Sequence, residues 1–552
     1  MSQDKLFVIG IGGTGMRCLE SFVHMCAMGM FDNQEIEVLT LDTDELNGNK
    51  AKTEKLIDLY SRIKTSGAEK GGTPNSNTFF SAKLNLHRFW TDYSGQARAN
   101  YRSISKLAEG NPEKQRANKL ISDLFLDQNS VQEFNLAHGY RAQTHLGSHL
   151  MYHAIVEAAR NLASGNNVKS QEKELEQFLT KLDNAGKIGA RVFVFGSIFG
   201  GTGASSIPVL PKAFQDFIKV RSGGKSTIDF SKIKFGSTLL TEYFTFKKPD
   251  AKQMGTKDDS VIADSSYFPL NSQAALQFYQ GDPTVQQTYK TMYHVGWPIE
   301  SKKIGQDDKD DVTITGGEKQ KNPSHITELL CACAAYDFFT KSSGLDVEKA
   351  EYLYRAIEFK DNVFNFTFND FVGSENKAGE TFANRLGALF SLAHIVLTKN
   401  EAAFSTDDKA GMRAFITQLE QAKLPLYSSI SNEECAELND YFKTLAYSFD
   451  SEKFYPGWMY QVRSTVAPGS FMFDSKAFTS NPKELKGLDV GALFSDAQNH
   501  WPGGGFMSDR YDKFVKTLIE VSPEDSQKVN TTKEKFLAHI YNAITKSQNF
   551  IN

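Results

Sequence analysis

Two glycine-rich turns are the part of this 552-residue sequence with the clearest chemical capacity. Residues 10–15 follow an apolar run at 6–9, and residues 200–205 follow another at 191–195. Glycine lets backbone N–H groups crowd around an anion, and a helix that begins behind them adds partial positive charge. Neither turn carries a lysine, so the pair indicates a phosphate chain held from two sides, mainly by backbone. The predicted contacts are Gly10, Gly12, Gly13, Thr14, Gly15 and Met16 in the first turn, and Gly200, Gly201, Thr202, Gly203, Ala204 and Ser205 in the second.

Two acids, Asp42 and Asp44, follow the strand predicted over residues 36–41. They could contact a ribose or a metal ion, or they could cap a turn. The first turn satisfies G-x-G-x-x-G and Asp42 ends the next strand, so the pattern also fits the dinucleotide-binding fingerprint. That interpretation leaves the second turn unexplained. A P-loop is excluded, because neither turn contains G-K-[ST].

The elements that must position these turns alternate between strand and helix. Strands are predicted over residues 6–9, 36–41, 191–195 and 234–240, and a helix with one apolar face over 16–28. This alternation predicts an α/β fold, a mostly parallel Rossmann-like nucleotide-binding sheet with helices on both faces. Ligands of such sheets bind at the C-terminal ends of the strands, where both turns lie.

Three regions are predicted along the chain. Residues 1–322 form the nucleotide-binding domain, with polar insertions at about 61–130 and 250–320 and some helix near 112–126. Residues 323–342 form a central helix that is apolar almost all round and therefore buried on every side, with Asn322 and Pro323 as its cap and first-turn proline. Residues 343–552 form a C-terminal α+β domain with a helical extension, ending in a helix near 533–546.

Composition limits the class of protein. The net charge of −4 argues against general nucleic-acid binding. No apolar run reaches the roughly 18 residues of a membrane span, and the first residues are too polar to open a signal peptide. The five cysteines show no zinc-type spacing, so a reducing cytoplasm is expected. His145, His149 and His153 recur every four residues, but no cysteine or acid joins them at ligand spacing, and no metal site is predicted from side chains.

The two turns and their flanks resemble the tubulin and FtsZ superfamily of GTPases, and most of all its bacterial tubulin-like branch. The first turn is similar to the superfamily's G-x-G-G-x-G, and residues 42–44 to its N-T-D stretch. The second turn keeps the core Gly-Gly-Thr-Gly of the signature loop and the downstream Pro208, with Phe199 and Ser205 in place of two signature glycines. The apolar helix after residue 322 is similar to the superfamily's central helix. The resemblance covers residues 5 to about 400.

The resemblance implies GTP or GDP with Mg²⁺ as ligands. Residues 139–147 occupy the place of the loop that reaches the γ-phosphate and the ribose, which makes Arg141 and His145 candidate contacts. His145 and Ser148 stand where FtsZ has Glu and Arg, so the sugar contacts differ. Asn322, at the start of the central helix, is a candidate contact for the base or sugar, with an ordinary N-cap as the alternative.

The resemblance also implies head-to-tail self-assembly into filaments, in which an acidic loop of one subunit completes the site of the next. Residues 365–370 match that loop at Asn365 and Asp370, the candidate catalytic residues, but Thr367 replaces one acid. Slow GTP hydrolysis is therefore expected. Two other functions stay open: a non-hydrolysing nucleotide-bound scaffold whose insertions bind partner proteins, and an NAD(P)-dependent oxidoreductase. The choice between guanine and adenine also stays open.

Overall fold

A computed structural model describes the greater part of the chain. The described residues are 4–44, 47–65, 69–91, 111–125, 140, 144–246, 264–298, 320, 322–356, 358–360, 363–365, 378–399, 410–450, 453–458, 461–462 and 515–547. Arg141 and Asp370, both predicted site residues, lie outside these ranges.

A seven-stranded sheet forms the centre of the molecule, and each neighbouring pair of its strands is parallel. The strand order is β3-β2-β1-β4-β5-β6-β7. With helices on both faces, this arrangement confirms the predicted α/β fold with a parallel Rossmann-like sheet. The strands are β1 (Lys5–Ile11), β2 (Glu35–Asp42), β3 (Lys83–Trp90), β4 (Ala190–Phe195), β5 (Ile233–Leu240), β6 (Tyr289–Gly296) and β7 (Glu351–Ala356).

Successive side chains of the inner strands enter two hydrophobic cores on opposite faces of the sheet. On β1, Leu6 and Val8 belong to one core, whereas Phe7 and Ile9 belong to the other. Parallel inner strands are covered on both faces, which is why β1 and β4 contain continuous apolar runs, at residues 6–9 and 192–195. Because β1 and β4 are packed on both faces, the positions of their carboxyl ends, and of the turns that follow them, are fixed by the two cores.

Helices cover both cores. Helices α1, α2 and α10 contribute to the core that contains Leu6, and α4, α5 and α7 contribute to the core that contains Phe7. The helix predicted near 112–126 is present as α3. The helices of this part of the chain are α1 (Gly12–Ala27), α2 (Gly48–Lys64), α3 (Pro112–Phe125), α4 (Thr144–Ser164), α5 (Ser170–Gly186), α6 (Gly201–Ser206), α7 (Leu210–Arg221), α8 (Phe268–Gly281), α9 (Pro283–Thr288) and α10 (Ile326–Thr340).

The central helix α10 is buried on nearly all sides, as its composition predicts. Its predicted cap is wrong, because the helix begins at Ile326, beyond Asn322 and Pro323. The cap is His325, whose Nδ1 accepts from the backbone N of Thr327, while Glu328 reaches back to the backbone N of His325. A histidine in this role is rarer than Ser, Thr, Asp or Asn, so the sequence pattern favoured the asparagine.

The sheet takes in strands that the sequence pattern assigned elsewhere. β3 lies inside the segment 61–130 and β6 inside 250–320, both predicted as polar insertions without strands. β7 follows the central helix, where the C-terminal domain was predicted to begin, yet it pairs with β6. β3 and β7 are the two outermost strands, and polar residues interrupt their apolar patterns because outer strands are less covered.

The C-terminal region is helical, with short two-stranded hairpins. Its helices share one core with α1 and α10. Trp458 donates from Nε1 to Ser21 Oγ at 3.0 Å, which joins this region to α1. In the described parts of the chain, no helix combines the length and apolarity needed to cross a membrane. The elements are β8 (Glu358–Lys360), β9 (Val363–Asn365), α11 (Ala378–Lys399), α12 (Ala410–Gln421), α13 (Asn432–Ala446), β10 (Tyr447–Asp450), β11 (Lys453–Pro456) and α14 (Thr532–Ser547).

Candidate functional site

The first glycine turn joins β1 directly to α1. Gly12 has a φ of +64°, a conformation that favours glycine. A Cβ added at Gly15 would lie 2.5 Å from the backbone oxygen of Phe195, so this glycine allows α1 to pack closely on β4. Gly10 and Gly15 therefore serve the packing of the turn, whereas Gly13 and Thr14 are only partly buried and are the members open to a ligand.

The second glycine turn joins β4 to the short helix α6. A Cβ added at Gly203 would lie 2.4 Å from the backbone oxygen of Ser197, so close packing of the turn on itself requires this glycine. The Ser205 hydroxyl donates to the carbonyl of Thr202 at 3.0 Å, and Tyr279 donates to the carbonyl of Ala204 at 2.6 Å. Gly200, Gly201 and Thr202 remain partly exposed.

The two turns lie against each other at the carboxyl ends of adjacent strands. A Cβ added at Gly12 would lie 3.1 Å from Cβ of Thr202. The chain proceeds from β1 outward to β2 and β3, and then returns to place β4 on the other side of β1. Open α/β sheets bind their ligands at such a reversal of strand order. The structure thus brings the two predicted groups of contacts together at the expected place.

The helix that begins at the first turn has no side-chain cap. Ile11 occupies its N-cap position in an extended conformation, and no described side chain bonds the first N–H groups. The neighbouring helix α2 differs, because Asn47 Oδ1 accepts from the backbone N atoms of Asn49 and Lys50 at 2.9 and 3.3 Å. Uncapped N–H groups need water or a ligand. The N-terminus of α1 is therefore the better anion site of the two.

Three amide side chains stand over Gly13. A Cβ built at Gly13 would lie 3.0 Å from Oε1 of Gln320, 3.2 Å from Nδ2 of Asn47 and 3.3 Å from Nδ2 of Asn49. These residues form what we call the amide wall. None of the three was predicted, because Asn47 and Asn49 lie at the start of α2 and Gln320 lies before α10, and only the fold brings these segments to the first turn.

Asp42 holds the segment before α2 in place. Its Oδ1 accepts from the backbone N atoms of Thr43 and Asp44 at 2.7 and 3.3 Å, and its Oδ2 accepts from Nδ2 of Asn47 at 3.0 Å. Burial, with the nearby charge of Asp44, raises the pKa of Asp42 to about 7. Asp42 and Asp44 are both buried. These contacts match the turn-capping alternative for Asp42, which positions the amide wall.

His145 lies in helix α4 rather than in a loop, because that helix begins at Thr144. The start of α4 packs on the second turn: Ser148 Oγ donates to the carbonyl of Ser205 at 2.8 Å, and a Cβ at Gly147 would lie 2.8 Å from Ser205 Oγ. His145 is exposed beside this contact. Within the described residues, no group of three or more His, Cys, Asp or Glu side chains could hold a metal ion.

Asn322 is buried next to the amide wall, and its backbone N donates to Oδ1 of Asn49 at 3.1 Å. This position agrees with a place beside the first turn, although not with a role as the helix cap. Asn365, the other predicted residue within the described ranges, ends β9 and pairs with Glu358 of β8.

A buried charged cluster ties the first turn to the central helix. Arg17 Nε lies 2.8 Å from Glu328 Oε1, and the Arg17 guanidinium also donates to the Tyr243 hydroxyl, which itself donates to Glu328. Arg17 and Glu328 are 3 and 0% exposed. Burial disfavours the charge on Arg17, but Glu328 and Tyr243 keep its pKa above the ordinary value. This cluster was not predicted. Its one sequence signal is Glu328, a charged residue at the third position of a mostly apolar helix.

No protein-family model matches the chain, and no curated protein matches it in sequence. The functional proposal therefore depends on the geometry of the turns and on the resemblance of their motifs.

Proposed function

We propose that this chain binds a nucleoside triphosphate across its two glycine turns. The observation that carries the proposal is the contact between the turns, Gly12 against Thr202, at the point where the strand order reverses. Two neighbouring turns can hold a phosphate chain from two sides. The backbone N–H groups at the uncapped start of α1 would bind the phosphate oxygens, with hydroxyl donors from Thr14 and Thr202.

The residues around the first turn fit a phosphate group accompanied by Mg²⁺. Neutral amides, rather than carboxylates, lie over Gly13: two NH₂ groups, from Asn47 and Asn49, and one amide oxygen, from Gln320. A phosphate there meets no negative charge from these three side chains. Magnesium usually takes one or two carboxylates, substrate phosphates and several waters, and so it needs no cluster of three protein ligands. The oxygens of Asp42 already accept three N–H donors, and Asp44 is the second acid that the sequence places after β2. When bound, magnesium would offset the charge of the phosphates.

The choice of GTP rests on the resemblance to the tubulin and FtsZ superfamily, and so does head-to-tail assembly. In this proposal Asn365 and Asp370 of one subunit complete the site of the next. The Asp370 carboxylate would orient the water that attacks the γ-phosphate, while the glycine turns stabilise charge on the phosphates. One acid in place of two makes slow hydrolysis the expected result. Head-to-tail contacts need not close into a ring, so filaments follow.

An NAD(P)-dependent oxidoreductase is the rival with the same strand order. It would need Asp42 to accept from a ribose hydroxyl, but the carboxylate oxygens of Asp42 already bond Thr43, Asp44 and Asn47. It would also give the second turn no role, although that turn contacts the first. These two observations favour the nucleoside triphosphate.

We further propose a cytoplasmic protein. The five cysteines are all buried and unpaired, which suits a reducing compartment. In the non-hydrolysing alternative, the same nucleotide site would serve a scaffold, and the long polar segments would bind partner proteins. Because the nucleotide site is the same in both, turnover of GTP is the property of the site that distinguishes the GTPase from the scaffold.

The test follows light scattering and phosphate release together after GTP and Mg²⁺ are added to the purified chain, with ATP and NAD as controls. GTP-dependent scattering with slow phosphate release supports the proposal, and Asp370→Ala should then lose release while retaining GTP binding. Binding of GTP without any release by the wild type supports the scaffold. Binding of NAD in the absence of GTP binding would overturn the proposal, and Gly201→Asp should in that case be harmless.

A further inference from the structure

Asn49 is a buried amide with one end bonded and the other directed at the first turn. It is the second residue of α2 and is 1% exposed. Its Oδ1 accepts from the backbone N of Asn322 at 3.1 Å, and because that donor is an N–H, the opposite end of the amide must be the NH₂ group. This NH₂ group is the atom that lies 3.3 Å from a Cβ placed on Gly13.

The Nδ2 atom of Asn49 is buried and has no hydrogen-bond partner among the described residues. Buried donors are nearly always satisfied, so an orphaned one beside a binding site points to a group that arrives with the ligand. Asn47, the neighbouring amide, does not share this property, because its Nδ2 already donates to Asp42. Gln320 directs an acceptor, Oε1, toward the same point, and this oxygen also has no partner among the described residues. Of the three amide atoms over Gly13, Nδ2 of Asn49 is therefore the donor that no described residue accepts from.

The geometry points to Asn49 as a phosphate ligand: its Nδ2 donates to an oxygen of the phosphate group held by the first turn. This inference rests on the proposed function, since it assumes that the uncapped start of α1 holds a phosphate. The N–H groups of α1 and the amide of Asn49 then face the same anion from two helices. Asn322 acts through Asn49 as a positioning residue, because its backbone N–H keeps the amide in this orientation.

Two substitutions separate a donor to an anion from other roles of Asn49. Asn49→Asp keeps an oxygen that accepts from Asn322 but replaces the NH₂ group by a carboxylate oxygen that repels a phosphate. Asn49→Ala removes both ends of the amide without adding charge. Asn184→Asp is the matched control, because it makes the same charge change at an exposed residue. Asn184 precedes β4 and so lies toward the amino ends of the strands, whereas the glycine turns lie at the carboxyl ends.

Calorimetry should measure the binding of GTP with Mg²⁺ to the full chain and its variants at low and high salt. We expect Asn49→Asp to weaken binding about 30-fold at low salt, Asn49→Ala about tenfold, and Asn184→Asp less than twofold. The excess of the Asn49→Asp loss over the Asn49→Ala loss measures the repulsion by the carboxylate, and salt reduces it only in part because the contact is buried. A packing defect would instead give an Asn49→Ala loss equal to or larger than that of Asn49→Asp.

The outcomes distinguish this inference from the proposed function. If the wild type binds no GTP, the proposed function fails before the variants are compared. If the wild type binds GTP and Asn49→Asp binds it as tightly, the inference is overturned and the site stands; a sugar hydroxyl as the partner of Asn49 would give this result. If Asn49→Asp does not fold, the tenfold loss in Asn49→Ala decides, and equal binding by that variant overturns the inference.

Discussion

The two glycine turns have similar sequences, but their glycines are required for different reasons. The first begins a helix of 16 residues, contains a glycine at positive φ and faces the amide wall. The second begins a helix of 6 residues, and its Gly203 packs against the backbone of Ser197. A glycine motif therefore marks a place where the backbone lies very close to another group. Whether that group is a ligand or another part of the protein depends on the residues around the motif.

The turns also differ in the side chains that connect them to the rest of the protein. Arg17, two residues after the first turn, is paired with Glu328 of the central helix, and His24 on the same helix bonds the Tyr441 hydroxyl at 3.0 Å. The second turn is held from outside by hydroxyl groups of Ser148 and Tyr279 that donate to its carbonyls. The first turn is thus joined to the C-terminal region through buried polar groups, and the second to its own side of the sheet.

The largest expected effect comes from the buried pair behind the first turn. Arg17→Met leaves Glu328 buried without its cation, and we expect a loss of about 4 kcal/mol in the free energy of unfolding. Adding Glu328→Gln should recover most of this loss, because glutamine carries no charge to leave unpaired. Urea unfolding followed by circular dichroism measures both. Equal losses in the single and double variants would show that the charge pair is not what joins the turn to the central helix.

Gly15 gives the next effect. A methyl group at this position would meet the Phe195 carbonyl at 2.5 Å, so Gly15→Ala should lower the free energy of unfolding by about 3 kcal/mol. Gly281→Ala is the control, because a methyl group there has no neighbour within 4 Å. The same urea titration applies. A loss that does not exceed the control's would mean that α1 does not pack on β4 as closely as described.

His24 gives a pH-dependent effect. Burial lowers its pKa to about 4, against an ordinary value of 6.5, although Glu20 opposes this shift. Its contribution to stability is therefore complete above the unfolded pKa and is lost as the pH falls toward the folded one. Between about pH 7.5 and 5, the wild type should lose about 2 kcal/mol more than His24→Gln. Parallel losses in the two proteins would contradict a neutral, buried His24.

The smallest effect on stability, and the sharpest test of the comparison, comes from Gly13 and Gly200. A methyl group at Gly13 would meet three amide side chains at 3.0–3.3 Å, which need to shift by only a few tenths of an ångström, and one at Gly200 would meet only the Ser197 hydroxyl at 3.3 Å. Both alanine variants should unfold like the wild type. Gly13→Ala should weaken GTP binding about tenfold and Gly200→Ala less than threefold, by calorimetry. The reverse order would make the second turn the principal phosphate contact.

Several elements could be predicted because their signals are local. β1 and β4 contain continuous apolar runs, β2 and β5 are rich in apolar residues, and α10 is apolar almost all round, so the local sequence of each element predicts that it is buried. β3, β6 and β7 mix polar and aromatic residues, and pairing with a neighbouring strand decides their conformation. The cap of α10 was mispredicted because histidine has no strong local preference for the cap position, and His325 caps the helix together with Glu328.

What the sequence by itself determined is the pair of glycine turns, the apolar strands before them and the buried central helix, because backbone freedom and apolar runs are properties of neighbouring residues. Only the tertiary structure decided that Gly12 meets Thr202, that Asp42 is occupied by its own loop, and that Asn49 turns a free donor toward Gly13. The Asn322–Asn49 contact joins residues 273 positions apart. Such convergence depends on how the sheet folds, and no local pattern encodes it.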